Sequence, residues 1–408
     1  MPGYEKYGPK NEMSRRILFA TVIVCPGSAR YTKSIIKVQT HIAMNTTPLV
    51  SQTVIVVHLK HHRMQLPREV IVGNGAIEHV TEISKRLGFT ESALIIAGSK
   101  TYDIAGKKVK ELLEQQQDMK VDTFLVETAT IEDVNTAASK IRTLKPQIVF
   151  GIGGGTKIDV AKCSSAQLEI PFISVPTTAS HDGIASPFSS IKGSKIPYSV
   201  AAQAPLAIIA DTNIIMQSPW RFTISGCGDV IAKFTSVRDW QLAHEEKDEY
   251  YGGYAASLAL MSAKHVMQNV ESMQKENEEG LRVLMEALIS CGVSMSIAGS
   301  SRPCSGAEHL FSHALDKTKP NQAMHGEQCG IGTIMMSYLH GANWKRIRDV
   351  LKRLGAPTNA KELGVEKEDI LQALKRAASM RPERYTVLNK LKLSSEAYKH
   401  LAATTQVI

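Results

Sequence analysis

A chain of 408 residues has room for two or more domains, and 43% hydrophobic with 21% charged residues suits a folded globular protein rather than a disordered one. The formal net charge of +9 invites a nucleic-acid reading until it is located: residues 1–63 hold nine Lys/Arg against two Asp/Glu, so +7 of it lies there. The rest is too evenly balanced for a duplex-binding surface, and six scattered cysteines without a C-x-x-C pair argue against a disulfide framework.

Residues 1–63 mix turn residues, basic residues and short β-prone runs such as Thr53-Val-Ile-Val-Val57, with no sustained period. They are expected to be a non-essential extension. At Met64 the pattern changes, and Leu66–Gly73 reads as the first strand of a domain spanning 64–218. Ala93–Ala97 is a buried strand, Gly106–Gln117 a helix with Val109, Leu112 and Leu113 on one face, Thr123–Val126 a strand, and Ile131–Leu144 a helix entered through Glu132 and Asp133. Further strands are expected at Gln147–Gly151, Pro171–Val175 and Ala207–Asp211. Strands alternating with helices predict a parallel α/β sheet of Rossmann-like type. After Trp220 the β-prone runs stop. Helices are expected at 224–244, 254–275, 280–298, 307–317, 326–339, 344–354 and 367–378, so 219–408 reads as an all-α domain. No apolar run approaches the length of a membrane span.

Gly151-Ile-Gly-Gly-Gly-Thr-Lys-Ile-Asp159 follows a strand and opens a helix, with glycine at four of its first five positions. Glycines let a backbone approach an anion, and the helix start offers N–H groups and a positive dipole end, so a phosphate-cradling loop belongs here. The spacing is neither G-x-G-x-x-G nor a Walker A loop, and a tight turn alone would also use glycine. The next strand ends in Pro176-Thr-Thr-Ala-Ser-His-Asp-Gly183, where hydroxyls and amides could hold a cofactor while Asp182 points at a substrate or merely caps a helix. The tip of the strand ending at Ala97 carries no acid to repel a 2′-phosphate, which predicts that NADP is accepted alongside NAD.

In the helical half, Asp229 stands in Gly226-Cys-Gly-Asp-Val-Ile-Ala-Lys233, His309 and His313 lie four apart in Ala307-Glu-His-Leu-Phe-Ser-His313, and His325 opens His325-Gly-Glu-Gln-Cys-Gly330. A catalytic zinc takes three imidazole or carboxylate ligands and leaves one position open. Spacing alone allows His309 and His313 to be ligands together, or to be a surface pair. Cys304 and Cys329 lie nearby in sequence, but soft thiolates are not needed for a hydroxyl substrate.

Taken together, Pro67-Arg-Glu-Val-Ile-Val-Gly73, GIGGGTKIDVAK, PTTASHDGIASP, SGCGDVIAK, AEHLFSHALD and HGEQCGIG resemble the sn-glycerol-1-phosphate dehydrogenase family of archaea, from about residue 64 to 400. That family stands with glycerol dehydrogenase, iron-type alcohol dehydrogenase and dehydroquinate synthase, and the HDG-x-x-SP loop points to it in particular. The resemblance implies a dehydroquinate synthase-like fold. It implies reversible, NAD(P)-dependent and zinc-dependent reduction of dihydroxyacetone phosphate to sn-glycerol-1-phosphate for membrane phospholipid synthesis. Asp229, His309 and His325 would then hold one Zn2+ per subunit. Gly155, Thr156, Lys157, Ile158, Asp159, Thr177, Thr178, Ala179, Ser180 and Ser186 would contact the dinucleotide. Asp182 and His313 would act catalytically and join Asp229 around the substrate, with Lys233 one candidate for its phosphate. A cytoplasmic homo-oligomer with no nucleic-acid partner and no membrane span is expected, although Ile17–Cys25 behind Arg15 and Arg16 faintly resembles a signal peptide. The rivals are a glycerol dehydrogenase, a dehydroquinate synthase-type lyase and a non-catalytic nucleotide-binding regulator.

Overall fold

The computed structural model describes residues 33–39, 52–58, 62, 64–117, 119–193, 200–320 and 322–408. The chain divides into two compact units, Met1–Arg63 and Met64–Ile408. In the first, Lys33–Gln39 pairs antiparallel with Gln52–His58, Lys33 opposite His58 and Gln39 opposite Gln52. The signal-like stretch Ile17–Cys25 lies outside the described residues.

The second unit is built on six parallel strands: β1 (Glu69–Gly73), β2 (Ser92–Ala97), β3 (Lys120–Leu125), β4 (Ile148–Gly153), β5 (Phe172–Pro176) and β6 (Ala207–Asp211). Their order is β1-β6-β5-β4-β2-β3. All six residues of β4 and all five of β5 and β6 are buried, as parallel strands with both faces covered must be. Alternation sorts their side chains. Ala93, Ile95, Phe150, Ile152, Ile173 and Ile209 pack with Val80 and Ile83 of α1 (Val80–Arg86) and Val109 and Leu113 of α2 (Lys107–Gln117). Leu94, Ile96, Val149, Phe172, Ile208 and Ala210 face the other side, where α3 (Ile131–Leu144) and α4 (Gly155–Ala166) lie. The core on that side runs on without a break into the helical half.

That half comprises α5 (Trp220–Ile231), α6 (Lys233–Lys247), α7 (Gly253–Gln268), α8 (Glu278–Ala298), α9 (Ala307–Thr318), α10 (His325–Leu339), α11 (Trp344–Arg353), α12 (Lys367–Ala377) and α13 (Ser395–Thr404), with short helical turns at Ala360–Leu363 before α12 and at Val387–Leu391 after it. The expected sequence of a parallel α/β sheet followed by helices is the architecture found. Four expectations need correction. The helix expected over 254–275 ends at Gln268, and a separate 3-10 turn follows over Val270–Ser272. The single helix over 224–244 is two, because the chain turns at Ala232, whose carbonyl takes the N–H groups of both Thr235 and Ser236. The helix before Gln117 starts with a π turn over Tyr102–Gly106. Among the described residues one helix, α8, is in fact long and apolar enough to cross a membrane, at 21 residues and mean hydropathy 1.5, but its apolar window is 72% buried, as in a core helix.

Candidate active site

The chain leaves β2 for β3 on one side and builds β4, β5 and β6 on the other, so the order reverses between β2 and β4. At such a point two strand ends diverge and a crevice opens beyond their carboxyl ends. Gly98 follows β2, and Gly153–Gly155 run from the last residue of β4 to the first of α4, so both lips are backbone. Gly153 takes φ +150°, and its carbonyl accepts the Thr177 N–H at 3.0 Å, tying the glycine loop to the loop after β5. Gly155 lies flat under the His181 ring: a Cβ there would sit 1.7 Å from His181 Nε2. Helix α4 begins at this loop and directs the positive end of its dipole at the crevice.

The residues expected around the cofactor divide by their engagement. Gly155, Thr156 and Lys157 form the first turn of α4, Thr156 exposed and Lys157 half-buried. Thr177, Thr178, Ala179 and Ser180 line the loop after β5, with Thr178 and Ser180 hydroxyls 3.4 Å apart. Ile158 is wholly in the core. Asp159 is paired with Lys162 at 3.2 Å and accepts the Ser190 N–H, which commits its side chain to holding the 183–190 loop. Ser186 Oγ is buried and accepts the Phe188 N–H.

Below His181 lies the second cluster. Gly228 of α5 and Gly326 of α10 bring two backbones together: a Cβ on Gly228 would meet the Gly326 carbonyl at 2.3 Å, and one on Gly326 the Ser225 carbonyl at 1.7 Å. This contact places Asp229, one residue on, beside the first residue of α10, His325. Helix α9 supplies His309. Asp229 Oδ1 is 3.4 Å from His309 Nε2, and the His309 and His325 ring centroids are 5.0 Å apart. His313 stacks on His325 at 6.1 Å, and His181 meets it edge-on at 6.4 Å, which links the cluster to the glycine loop. The structure thus brings Asp229, His309, His325, His313 and Asp182 into one pocket.

Hydrogen bonds fix which nitrogen of each imidazole is free. His309 Nδ1 lies 2.9 Å from Glu308 Oε1, and Glu308 also accepts from Thr235, Ser236 and the Gly306 N–H. Burial alone would raise the Glu308 carboxyl, but His309 and those donors bring it down to about 2, so it is an anion and Nδ1 carries the proton. For His325, the Gln328 amide nitrogen donates to Asp316 and the Ala323 carbonyl, turning its oxygen to Ser312. The Ser312 hydroxyl must therefore donate to Gln328 at 2.7 Å and accept from His325 Nδ1 at 3.2 Å. Both rings thus turn Nε2, rather than Nδ1, toward the point where a cation would sit, the arrangement that partners around metal-bound histidines create.

The charges agree with that reading. Lys233, four residues after Asp229 and fully buried, lies 2.6 Å from Asp229 Oδ1 and 2.8 Å from Asp182 Oδ2, the latter an ion pair rather than an aligned hydrogen bond. The Asp182 N–H donates to Asp229 Oδ2 at 2.9 Å. Burial would raise the Asp229 carboxyl, yet Lys233 and His309 hold it well below the usual range. Burial would likewise lower Lys233, and Asp182 and Asp229 hold it well above. Its ammonium is thus committed to two carboxylates, which leaves it poorly placed to meet a substrate phosphate. Burial pushes the His309 imidazolium down, and Cys329, Asp229 and Glu308 more than reverse this, so the pocket favours positive charge at the Nε2 edge. Burial and the charge of His309 lower His325 to about 3; burial, His325 and His309 lower His313 well below its ordinary value. Asp182 and Asp229 thus face the Lys233 ammonium, Glu308 faces the His309 imidazolium, and the His325 and His313 rings are neutral, a set that fits a divalent cation taking the place of the His309 proton.

Sequence reasoning set Cys329 aside, yet its thiol, His309 and His325 offer atoms within 4.8 Å of one another. The i, i+4 spacing of His325 and Cys329 on α10 was the available signal. Glu308, Ser312 and Gln328 had none, because their roles depend on partners from other helices or on the fold of the preceding turn.

Residues 71–219 match the family model described as iron-containing alcohol dehydrogenase. The chain is 52% identical over 346 residues to glycerol-1-phosphate dehydrogenase, NAD(P)+, of Methanosarcina mazei, covering 85% of this chain and 96% of that one. The enzyme of the same name from Thermococcus kodakarensis is 52% identical over 347 residues, with 85% and 99% covered. The chain belongs to the glycerol-1-phosphate dehydrogenase family. That places the resemblance read from its motifs on nearly whole-length identity. Among solved structures, glycerol dehydrogenase from Schizosaccharomyces pombe superposes at TM-score 0.71 with 21% identity over 85% of this chain and 92% of that one. Sulfoacetaldehyde reductase from Bifidobacterium kashiwanohense in complex with NAD+ superposes at 0.65 with 17% identity over 85% and 100%. At such identities the likeness shows that this glycerol-1-phosphate dehydrogenase family member shares their fold.

Proposed function

We propose that this protein reversibly reduces dihydroxyacetone phosphate to sn-glycerol-1-phosphate with NADH or NADPH. The observation that carries the reading is identity of about half over almost the entire length of relatives bearing that enzyme's name. The geometry supports it: a glycine-lined crevice at the sheet's switch point and a cation-seeking cluster, with His181 touching both.

Asp229, His309 and His325 are the proposed ligands of one divalent ion, taken as zinc from their oxygen and nitrogen donors. When bound, that ion polarises the substrate oxygen and the nicotinamide supplies the hydride. The chain's own residues do the rest. Glu308 and Ser312 hold both imidazoles in the tautomer that leaves Nε2 free. Lys233 pairs with both Asp182 and Asp229 and holds them in place. Asp182 orients the substrate. His313, a neutral ring stacked on His325, is placed to hold the proton exchanged with the substrate C2 oxygen. The loop 177–180 and the first turn of α4 would hold the dinucleotide, with His181 between them and the Asp229 cluster. The protein acts in the cytoplasm as a homo-oligomer, and residues 64–408 suffice for catalysis, with 64–218 and 219–408 as its two domains.

The test is oxidation of NADH and of NADPH followed with dihydroxyacetone phosphate and, separately, with dihydroxyacetone, each before and after a chelator. Turnover with the phosphorylated ketone that the chelator abolishes and zinc restores is the expected result. Preference for the unphosphorylated ketone, or product formed without net NADH oxidation, refutes it.

A further inference from the structure

The tip of β2 carries no acid of its own, but the adjacent strand brings one to it. Glu127, just beyond β3, reaches across so that its Oε1 accepts both the Ser99 N–H at 2.9 Å and the Ser99 hydroxyl at 2.6 Å. Lys157, from the first turn of α4, closes the third side: its ammonium donates to the Glu127 carbonyl at 2.8 Å and lies 3.7 Å from Oε2. The absence of a side chain at Gly98 lets Lys157 cross, since a Cβ there would lie 2.4 Å from Lys157 Cε. A backbone amide, a hydroxyl and an ammonium converging on one point are the donors an anion needs, and this protein fills them with its own carboxylate. The Ser99 donors, followed by Lys157, hold that carboxyl below its ordinary value, so it is charged at neutral pH.

The position follows from topology. The cluster of Asp229, His309 and His325 joins the crevice through the loop after β5, by the Asp182–Asp229 and Ser225–Ser180 hydrogen bonds. A dinucleotide with its pyrophosphate at the start of α4 and its nicotinamide on that side must lay its adenosine ribose on the opposite side, over the tips of β2 and β3. Ser99 and Glu127 are there. We infer that Glu127 is the residue that sets the choice between the two nicotinamide cofactors, by occupying the niche a 2′-phosphate would need. A ribose 2′-hydroxyl can donate to Oε2. A 2′-phosphate meets a carboxylate already seated on the donors it requires. Without Glu127, Ser99 and Lys157 become a phosphate site.

The inference rests on the proposed use of nicotinamide dinucleotides, so its test measures binding apart from turnover. Isothermal titration with NAD+ and with NADP+ is run on the wild type, E127Q, E127A, E127D and the E127A/S99A double variant. The expected result is a shift of the affinity ratio toward NADP+ of about tenfold or more in E127Q and E127A, the scale of removing one partly screened charge from a phosphate's path. E127D should keep the wild-type preference, and adding S99A should reverse the gain of E127A. A ratio that stays within about twofold in E127Q and E127A, on a scale where one charge is worth about tenfold, overturns the inference, as does wild-type protein that binds neither nucleotide. Wild-type protein that binds both, responds as described and yet does not reduce dihydroxyacetone phosphate overturns the proposed reaction and leaves this inference standing.

Discussion

The glycine loop after β4 and the cluster around Asp229 meet at His181 but are made of opposite materials. The loop works through missing side chains: Gly98, Gly153 and Gly155 keep the crevice lips bare, which lets Lys157 and the His181 ring pass close to their backbone. The cluster works through buried side chains that would be costly in isolation, and it survives because each charge has a partner within hydrogen-bonding reach. One side is therefore sensitive to adding atoms and the other to removing charges.

That contrast can be broken at several points. The largest effect is expected for Asp229→Ala, which removes a proposed metal ligand and leaves Lys233 with one carboxylate. Turnover of dihydroxyacetone phosphate should fall on the order of 10³-fold or more, read as NADH oxidation at saturating zinc. Near-normal kcat there would dissolve the cluster's functional meaning. Glu308→Gln keeps the shape but not the charge that fixes His309 Nδ1–H. Zinc affinity, measured by competition with a chromophoric chelator, should weaken about 10–100-fold, as for other residues behind metal ligands. Gly155→Ala tests the other material: its Cβ collides with the His181 ring, and the midpoint of urea unfolding should report a loss of about 1–3 kcal/mol. An unchanged midpoint would mean that His181 swings freely and is no bridge. The smallest effect is expected for expression from Met64, which should leave kcat and KM unaltered; loss of soluble, active protein would show that residues 1–63 belong to the working enzyme.

Much of this was legible in the chain because the signals are local. Four glycines in five positions between an apolar strand and a helical run announce a backbone crevice, and Asp229, His309 and His325 are chemically conspicuous at helix positions. The unreadable part is what one element does for another. Lys233 reads as a free basic residue until α6 is seen to bury it between Asp182 and Asp229. Glu127 reads as a loop acid, although parallel pairing of β2 with β3 sets it on Ser99. The helical period runs through Ala232, where the chain turns, because the apolar spacing of both flanking helices continues across it. The tautomers of His309 and His325 depend on Glu308, Ser312 and Gln328, whose hydrogen bonds exist only after α9 and α10 have packed.

The central claim is that one carboxylate and two imidazoles, rather than the nearby thiol, hold the metal. Zinc bound per subunit, determined by elemental analysis after equilibration of the wild type and of the D229A, H309A, H325A and C329A variants in limiting zinc, tests it most directly. The account predicts one zinc in the wild type and in C329A, and marked loss in the other three. Retention by D229A together with loss from C329A would contradict it.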